Sequence, residues 1–240
     1  MNIDLLLAIC AVIFAGILRG FSGFGAGMVL VPALSVLYSP TIAVISVAIM
    51  ELIPALQLLP KALPQCHWRS VIPMSLAGIL AIPLGSLLLI HVNEESMRLL
   101  ISALVLMGVF LLASGWHYTG TNNSVKGSLI TGIISGVVGG ATGLGGIPII
   151  MYYLSGQYAA ATSRSSIVCF LSITVTMSLL TYLYHGLVSI EILLRCLLFA
   201  PLFVIAVWIG SRLFGKVSEA TFRTVVLTIL GIIGLATSLA

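Results

Sequence analysis

Apolar runs long enough to cross a bilayer alternate along this chain with short polar or proline-marked breaks, and few runs show a clear polar face. Residues 4–19 form the first run. It is followed by Gly23-Phe24-Gly25-Ala26-Gly27 and a shorter apolar segment from 28 to 38. Ser39-Pro40 punctuates the chain, and residues 41–60 predict a helix that contains Glu51, bends at Pro54 and ends at Pro60-Lys61. A loop over 64–69 precedes a crossing at 70–90; a polar turn around Asn93 precedes another at 96–115. The longest polar connection, 116–123, is the natural hinge. Beyond it the order recurs: 125–139, the stretch Gly143-Leu144-Gly145-Gly146, then 147–154, 158–184, 189–211 and 220–239.

The recurrence includes polar positions. Ser22 and Thr142 stand 120 residues apart on the two glycine stretches, while Gly85-Ser86, Val92, Glu94 and Arg98 recur 125 residues on as Gly210-Ser211, Val217, Glu219 and Arg223. An internal duplication is therefore expected, with a first transmembrane repeat over 1–120 and a second over 121–240 in one membrane domain.

Composition sets the medium. Sixty per cent of residues are hydrophobic and 7% charged, with mean hydropathy +1.25, against roughly 45–50% and about 25% in soluble domains. Runs of about 20 apolar residues, without the ten-residue alternation of an outer-membrane barrel, predict an all-α integral membrane protein. The first run has Asp4 in place of a basic start and no small-residue cleavage site, which predicts a membrane helix and not a signal peptide.

The ten Lys and Arg are too dispersed to bind nucleic acid, but they do report topology. If the chain runs straight through each glycine stretch, the halves are parallel and the basic residues divide four against six. If it turns back there, as a re-entrant or short helix pair, the halves are inverted. One side then holds Arg19, Lys61, Arg69, Lys126, Arg164, Arg212, Lys216 and Arg223, and the other only Arg98 and Arg195 with Asp4, Glu94, Glu95 and Glu191. The second division favours inverted halves in the cytoplasmic membrane, with both termini outside.

Candidate chemistry is sparse. A helix restarting within the membrane presents free N–H groups and a positive dipole end, which suits an anion. Gly23, Gly25, Gly27, Gly143, Gly145 and Gly146 are therefore candidate binding backbone, with Ser22 and Thr142 as hydroxyl donors. Glu51, near mid-membrane, is a candidate proton carrier. Arg164, within Thr162-Ser163-Arg164-Ser165-Ser166, is a candidate counter-charge for the anion or for Glu51; Gln57 and Thr174 are possible pore-lining groups. The four histidines and four scattered cysteines lack metal-ligand spacing, no catalytic elbow is present, and no cofactor is called for.

Gly23-Phe24-Gly25-Ala26-Gly27 with Val31-Pro32, and Gly143-Leu144-Gly145-Gly146 with Pro148, resemble the two signatures of the TauE/SafE family of sulfite and organosulfur anion transporters, and the resemblance covers essentially the whole chain. Ala26, Ile147 and Tyr152 depart from its pattern. The resemblance implies a duplicated four-helix unit that moves small sulfur oxyanions, sulfonates or related carboxylates. The resulting expectation is a transporter in the lipid bilayer whose inverted halves bind a small anion at facing glycine breaks and work by alternating access. A homo-oligomer is open. An anion channel is the alternative from another class, and an intramembrane enzyme the third.

Overall fold

The computed structural model describes residues 3–114, 124–154 and 158–213, all in helices and their connections. The expected segment 220–239 and the hinge 116–123 lie outside the described residues, as do Lys216, Val217 and Glu219. The helices are α1 (Ile3–Ser22), α2 (Ala26–Leu37), α3 (Pro40–Ala62), α4 (Trp68–His91), α5 (Glu94–Ser114), α6 (Val125–Thr142), α7 (Gly146–Leu154), α8 (Ala160–Tyr184) and α9 (Ile190–Leu213). Among the described residues six helices are long and apolar enough to cross a membrane, so the chain is an all-α, multi-pass membrane protein. By contrast α2 and α7, of 12 and 9 residues, reach about 18 and 14 Å at 1.5 Å per residue and cannot span the ~30 Å hydrocarbon core.

Local chemistry sets the helix ends. Ser39 caps α3, accepting from the Ile42 N–H at 3.3 Å with Pro40 in the first turn, and Ser124 caps α6 through the Gly127 N–H. Pro60, expected to end the third helix, lies inside it; α3 continues to Ala62.

Glycine decides the packing. A Cβ on Gly132, Gly136 or Gly140 of α6 would strike the carbonyl oxygens of Met74, Gly78 or Ile82 on α4, and one on Gly85 would strike that of Val137. In α1, Gly16 and Gly20 lie in the same way against the carbonyls of Phe203 and Val207 on α9, and Gly210 lies against that of Ile17. Backbones this close gain dispersion contact, the main attraction between helices where lipid is as apolar as the side chains. Residue numbers rise together along both pairs, so α4 runs parallel to α6 and α1 parallel to α9. The contacts also correspond: Gly16 with Phe203 and Gly136 with Gly78 are related by steps of 120 and 125 residues, as are Gly20 with Val207 and Gly140 with Ile82.

The remaining directions follow from side-chain contacts. The Tyr152 hydroxyl, near the end of α7, is 3.0 Å from Ser128 Oγ near the start of α6, so the chain doubles back at the second glycine stretch. The first does the same. Arg195, early in α9, stacks on Tyr38 just beyond α2, and Cys196 donates to the Ser46 carbonyl early in α3. The parallel partner α1 therefore starts on the face where α2 ends. The short Leu63–Gln65 turn reverses α3 into α4, and α6, parallel to α4, thus runs opposite to α1. Apolar side chains such as Leu76, Leu80 and Leu84 on α4, 59–78% exposed, form the lipid-facing surface.

Candidate functional site

Each interrupted helix ends in the same local device. Ser22 Oγ donates to the Leu18 carbonyl at 2.7 Å and receives the Phe24 N–H at 3.2 Å. Thr142 Oγ1 donates to the Val138 carbonyl at 2.7 Å and receives the Leu144 N–H at 3.3 Å. Gly23 and Gly25 (φ 83° and 90°) and Gly143 (φ 70°) hold left-handed conformations, where a Cβ costs about 1–2 kcal/mol. These residues reverse the chain inside the bundle without leaving their turns unpaired.

Ending a helix in the membrane strands carbonyls, which α8 satisfies from both sides. Arg164 donates from Nε to the Phe21 carbonyl at 3.0 Å and from Nη2 to that of Gly20 at 2.7 Å. The Tyr182 hydroxyl donates to the Gly140 carbonyl at 2.9 Å.

Between the reversals lies a cavity of about 60 Å³, room for roughly four waters at about 15 Å³ each or for one small oxyanion. The starts of α2 and α7 border it through Gly25, Gly27, Gly145 and Gly146, with Gly143 beside them. The reversals touch, since a Cβ on Gly27 would lie 2.8 Å from the Gly143 carbonyl oxygen. Glu51, Thr174, Ser178 and Ser135 supply side-chain polarity; Ser135, 1% exposed, has no hydrogen-bond partner for its hydroxyl. Two helix N-termini, each equivalent to roughly half a positive charge, thus border one small space that also receives a carboxyl.

That carboxyl has a partner unforeseen in the sequence. Arg19 Nη2 lies 3.1 Å from Glu51 Oε2, and the two side chains are 0% and 9% exposed. Arg19 Nη1 also donates to the Gly23 carbonyl, tying the pair to the first reversal. In so apolar a place each charge depends on the other, and losing one alone costs about 3–5 kcal/mol.

The expected site residues thus separate. Gly25, Gly27, Gly143, Gly145, Gly146, Glu51 and Thr174 line the cavity. Ser22 and Thr142 do not; their hydroxyl protons are spent on the preceding helical turn. Gly23 packs on Arg164 and Val168, and Arg164 caps α1, while Glu51 pairs with Arg19. Gln57 lies on an exposed face of α3. Sequence reasoning missed Arg19, counted there as a topology marker, together with Ser135, Ser178 and Tyr182. The available signal was an arginine inside an otherwise apolar span, itself a mark of function.

Helices long and apolar enough to cross a membrane, packed around a small internal cavity where two chain reversals and a buried carboxyl meet, define a multi-pass membrane transport protein. The chain belongs to the sulfite exporter TauE/SafE family, whose profile matches residues 8–237. Over 240 aligned residues it is 24% identical to a protein of Cupriavidus necator (strain H16) named "Probable sulfite/organosulfonate exporter TauE", covering 98% of this chain and 93% of that one. No solved structure matches the chain.

Proposed function

We propose that this protein carries a small anion of the sulfite and organosulfonate class across the cytoplasmic membrane by alternating access, with Glu51 carrying a coupled proton. The observation that carries the proposal is the convergence of both interrupted helices on one cavity sized for a small oxyanion and lined by a buried carboxyl. Backbone N–H groups and dipoles at Gly25, Gly27, Gly145 and Gly146 attract the anion without a full charge exposed to lipid. The name of the Cupriavidus relative supports the substrate class.

In this reading residues 1–120 and 121–240 are inverted repeats, and rocking one against the other opens the cavity to alternate faces. The corresponding glycine contacts of α1 with α9 and α6 with α4 support the repeat. Lys61, Arg69, Lys126 and Arg212 gather on the face where α3 and α9 end, whereas Arg98 and Arg195 mark the face where α1 starts. Basic residues favour the cytoplasm, so the start of α1 faces outward, and the C-terminus does too if 220–239 crosses as the sequence predicts.

The test is flux of labelled sulfite, sulfate and methanesulfonate into proteoliposomes holding the purified protein, with and without a pH gradient. Saturable flux of at least one, changed by the gradient, is expected. Flux that rises linearly with concentration and follows voltage alone would replace the transporter with a channel, and flux of none would remove the substrate class.

A further inference from the structure

We infer that Arg19 holds the charge of the transported anion, and that the Glu51 carboxylate occupies the same guanidinium edge until it takes up a proton. The inference deepens the transporter reading and rests on it for the identity of the anion. Its ground is the arrangement of donors on Arg19. Nη1 is committed to the Gly23 carbonyl. Nη2 lies 3.1 Å from Glu51 Oε2 as an ion pair without an aligned hydrogen bond, and Nε is buried with no hydrogen-bond partner. Nε and Nη2 form one edge of the planar guanidinium, the edge that receives two oxygens of an oxyanion side by side. Glu51 covers only half of it. The carboxyl that covers it lines the cavity, whereas Arg19 stands behind that carboxyl and is not itself among the lining residues, so an anion in the cavity reaches the donor edge only where the carboxyl has withdrawn. On the cavity lining, Ser135 holds a second unpartnered polar group.

Exchange follows from charge balance. With Glu51 ionised, the guanidinium is neutralised and a second anion is repelled from the cavity. With Glu51 protonated, a buried cation has lost its counter-charge, and an oxyanion is the group that restores it. Proton and monoanion thus enter together, each raising the affinity for the other, as linkage requires. Other charged or titratable groups facing this part of α3 are fixed elsewhere. From α8, Arg164 caps α1, the Tyr182 hydroxyl is bonded to Gly140 and the Cys169 thiol to that of Cys66; from α9, the Cys196 thiol is bonded to Ser46; from α5, Arg98 is bonded to the Ser35 carbonyl. The described α2 carries no titratable side chain, and the single one of α6, Lys126, is at its outer end. Glu51 is the one carboxyl group set away from the ends of the described helices.

The test uses the full chain in lipid nanodiscs and measures binding of methanesulfonate, sulfate and sulfite across a pH series. Methanesulfonate is the primary probe because it stays a monoanion throughout. In the wild type, its affinity is expected to fall as pH rises, by up to about tenfold per unit, the limit for one linked proton. Glu51→Gln is expected to bind at least as tightly as the wild type at its most acidic pH, with no pH dependence. Arg19→Lys keeps the charge but loses the fork, and should bind more weakly with the pH dependence retained. The decisive variant is R19Q/E51Q, which removes both buried charges together and so avoids the cost of stranding one. It should fold and bind at least about tenfold more weakly than Glu51→Gln. If R19Q/E51Q binds as Glu51→Gln does, Arg19 is not the ligand and the inference fails. If Glu51→Gln shows no gain over wild type for any probe at the alkaline end of the pH series, Glu51 does not mask the site and the inference fails. A wild type that transports none of the anions overturns the substrate class instead, while the difference in binding between these two variants still decides the role of Arg19.

Discussion

Gly27→Ala isolates the contact between the two chain reversals. Gly27 does not hold a left-handed conformation and sits in the first turn of α2, so alanine there is conformationally acceptable and improves helix propensity by up to about 1 kcal/mol. The added methyl would lie 2.8 Å from the Gly143 carbonyl oxygen, where ordinary contact begins at 3.4 Å. Its obstacle is backbone, which a rotamer change cannot relieve, and overpacking of this kind costs about 1–3 kcal/mol. The net loss of stability is about 0–3 kcal/mol, which leaves the protein folded. Function should suffer more, because the strain is relieved by separating the two helix starts that border the cavity, and a displacement approaching 1 Å can cost on the order of a hundredfold in rate. Gly146→Ala is the control: it borders the same cavity, yet its Cβ would meet only Ile150 and Leu171 side-chain atoms at 3.8 and 3.9 Å. The assay is initial anion flux in proteoliposomes, normalised to folded protein, beside thermal unfolding in detergent. Gly27→Ala is expected to lose roughly tenfold or more of the flux, and Gly146→Ala to remain near wild type in both measurements. Equal flux from Gly27→Ala and wild type, or a larger loss from Gly146→Ala, would refute the reasoning that backbone contact at Gly143 sets the cavity.

Two other predictions concern the frame around the cavity. Arg164→Met removes two charge-assisted caps from the end of α1, each worth about 1.5–3 kcal/mol; unfolding should come markedly earlier while the affinity of folded protein for methanesulfonate stays close to wild type. A collapse of affinity at unchanged stability would instead make Arg164 a ligand. For topology, single cysteines at Asn93 and Gln65, both exposed and on opposite faces, are introduced where Cys10, Cys66, Cys169 and Cys196 have been replaced. A membrane-impermeant maleimide applied to intact cells should label position 93 and spare 65, and the reverse pattern would place the termini inside.

Much of the architecture was determined by the sequence, because lipid leaves the backbone few choices. Runs such as 70–90 and 189–211 had to be helical, since no water is present to satisfy an open backbone, and their observed ends lie within two residues of those expected. The glycine stretches announced two breaks, and the uneven spread of Lys and Arg favoured a chain that turns back at them. What the sequence left open was how side chains share a cavity. Ser22 and Thr142 looked like ligands because a hydroxyl beside a broken helix can face either the ligand or its own helix; local geometry turned both inward. Arg164 was a candidate counter-charge for Glu51 as well as for the anion because each was known only by depth in its helix, whereas the pairing depends on which helix faces which. Close approach at Gly16 and Gly20 brings α1 against α9, and Arg19 then reaches Glu51 from 32 positions away. Hydropathy records which residues avoid water; only helix packing decides which polar groups, once inside, find each other.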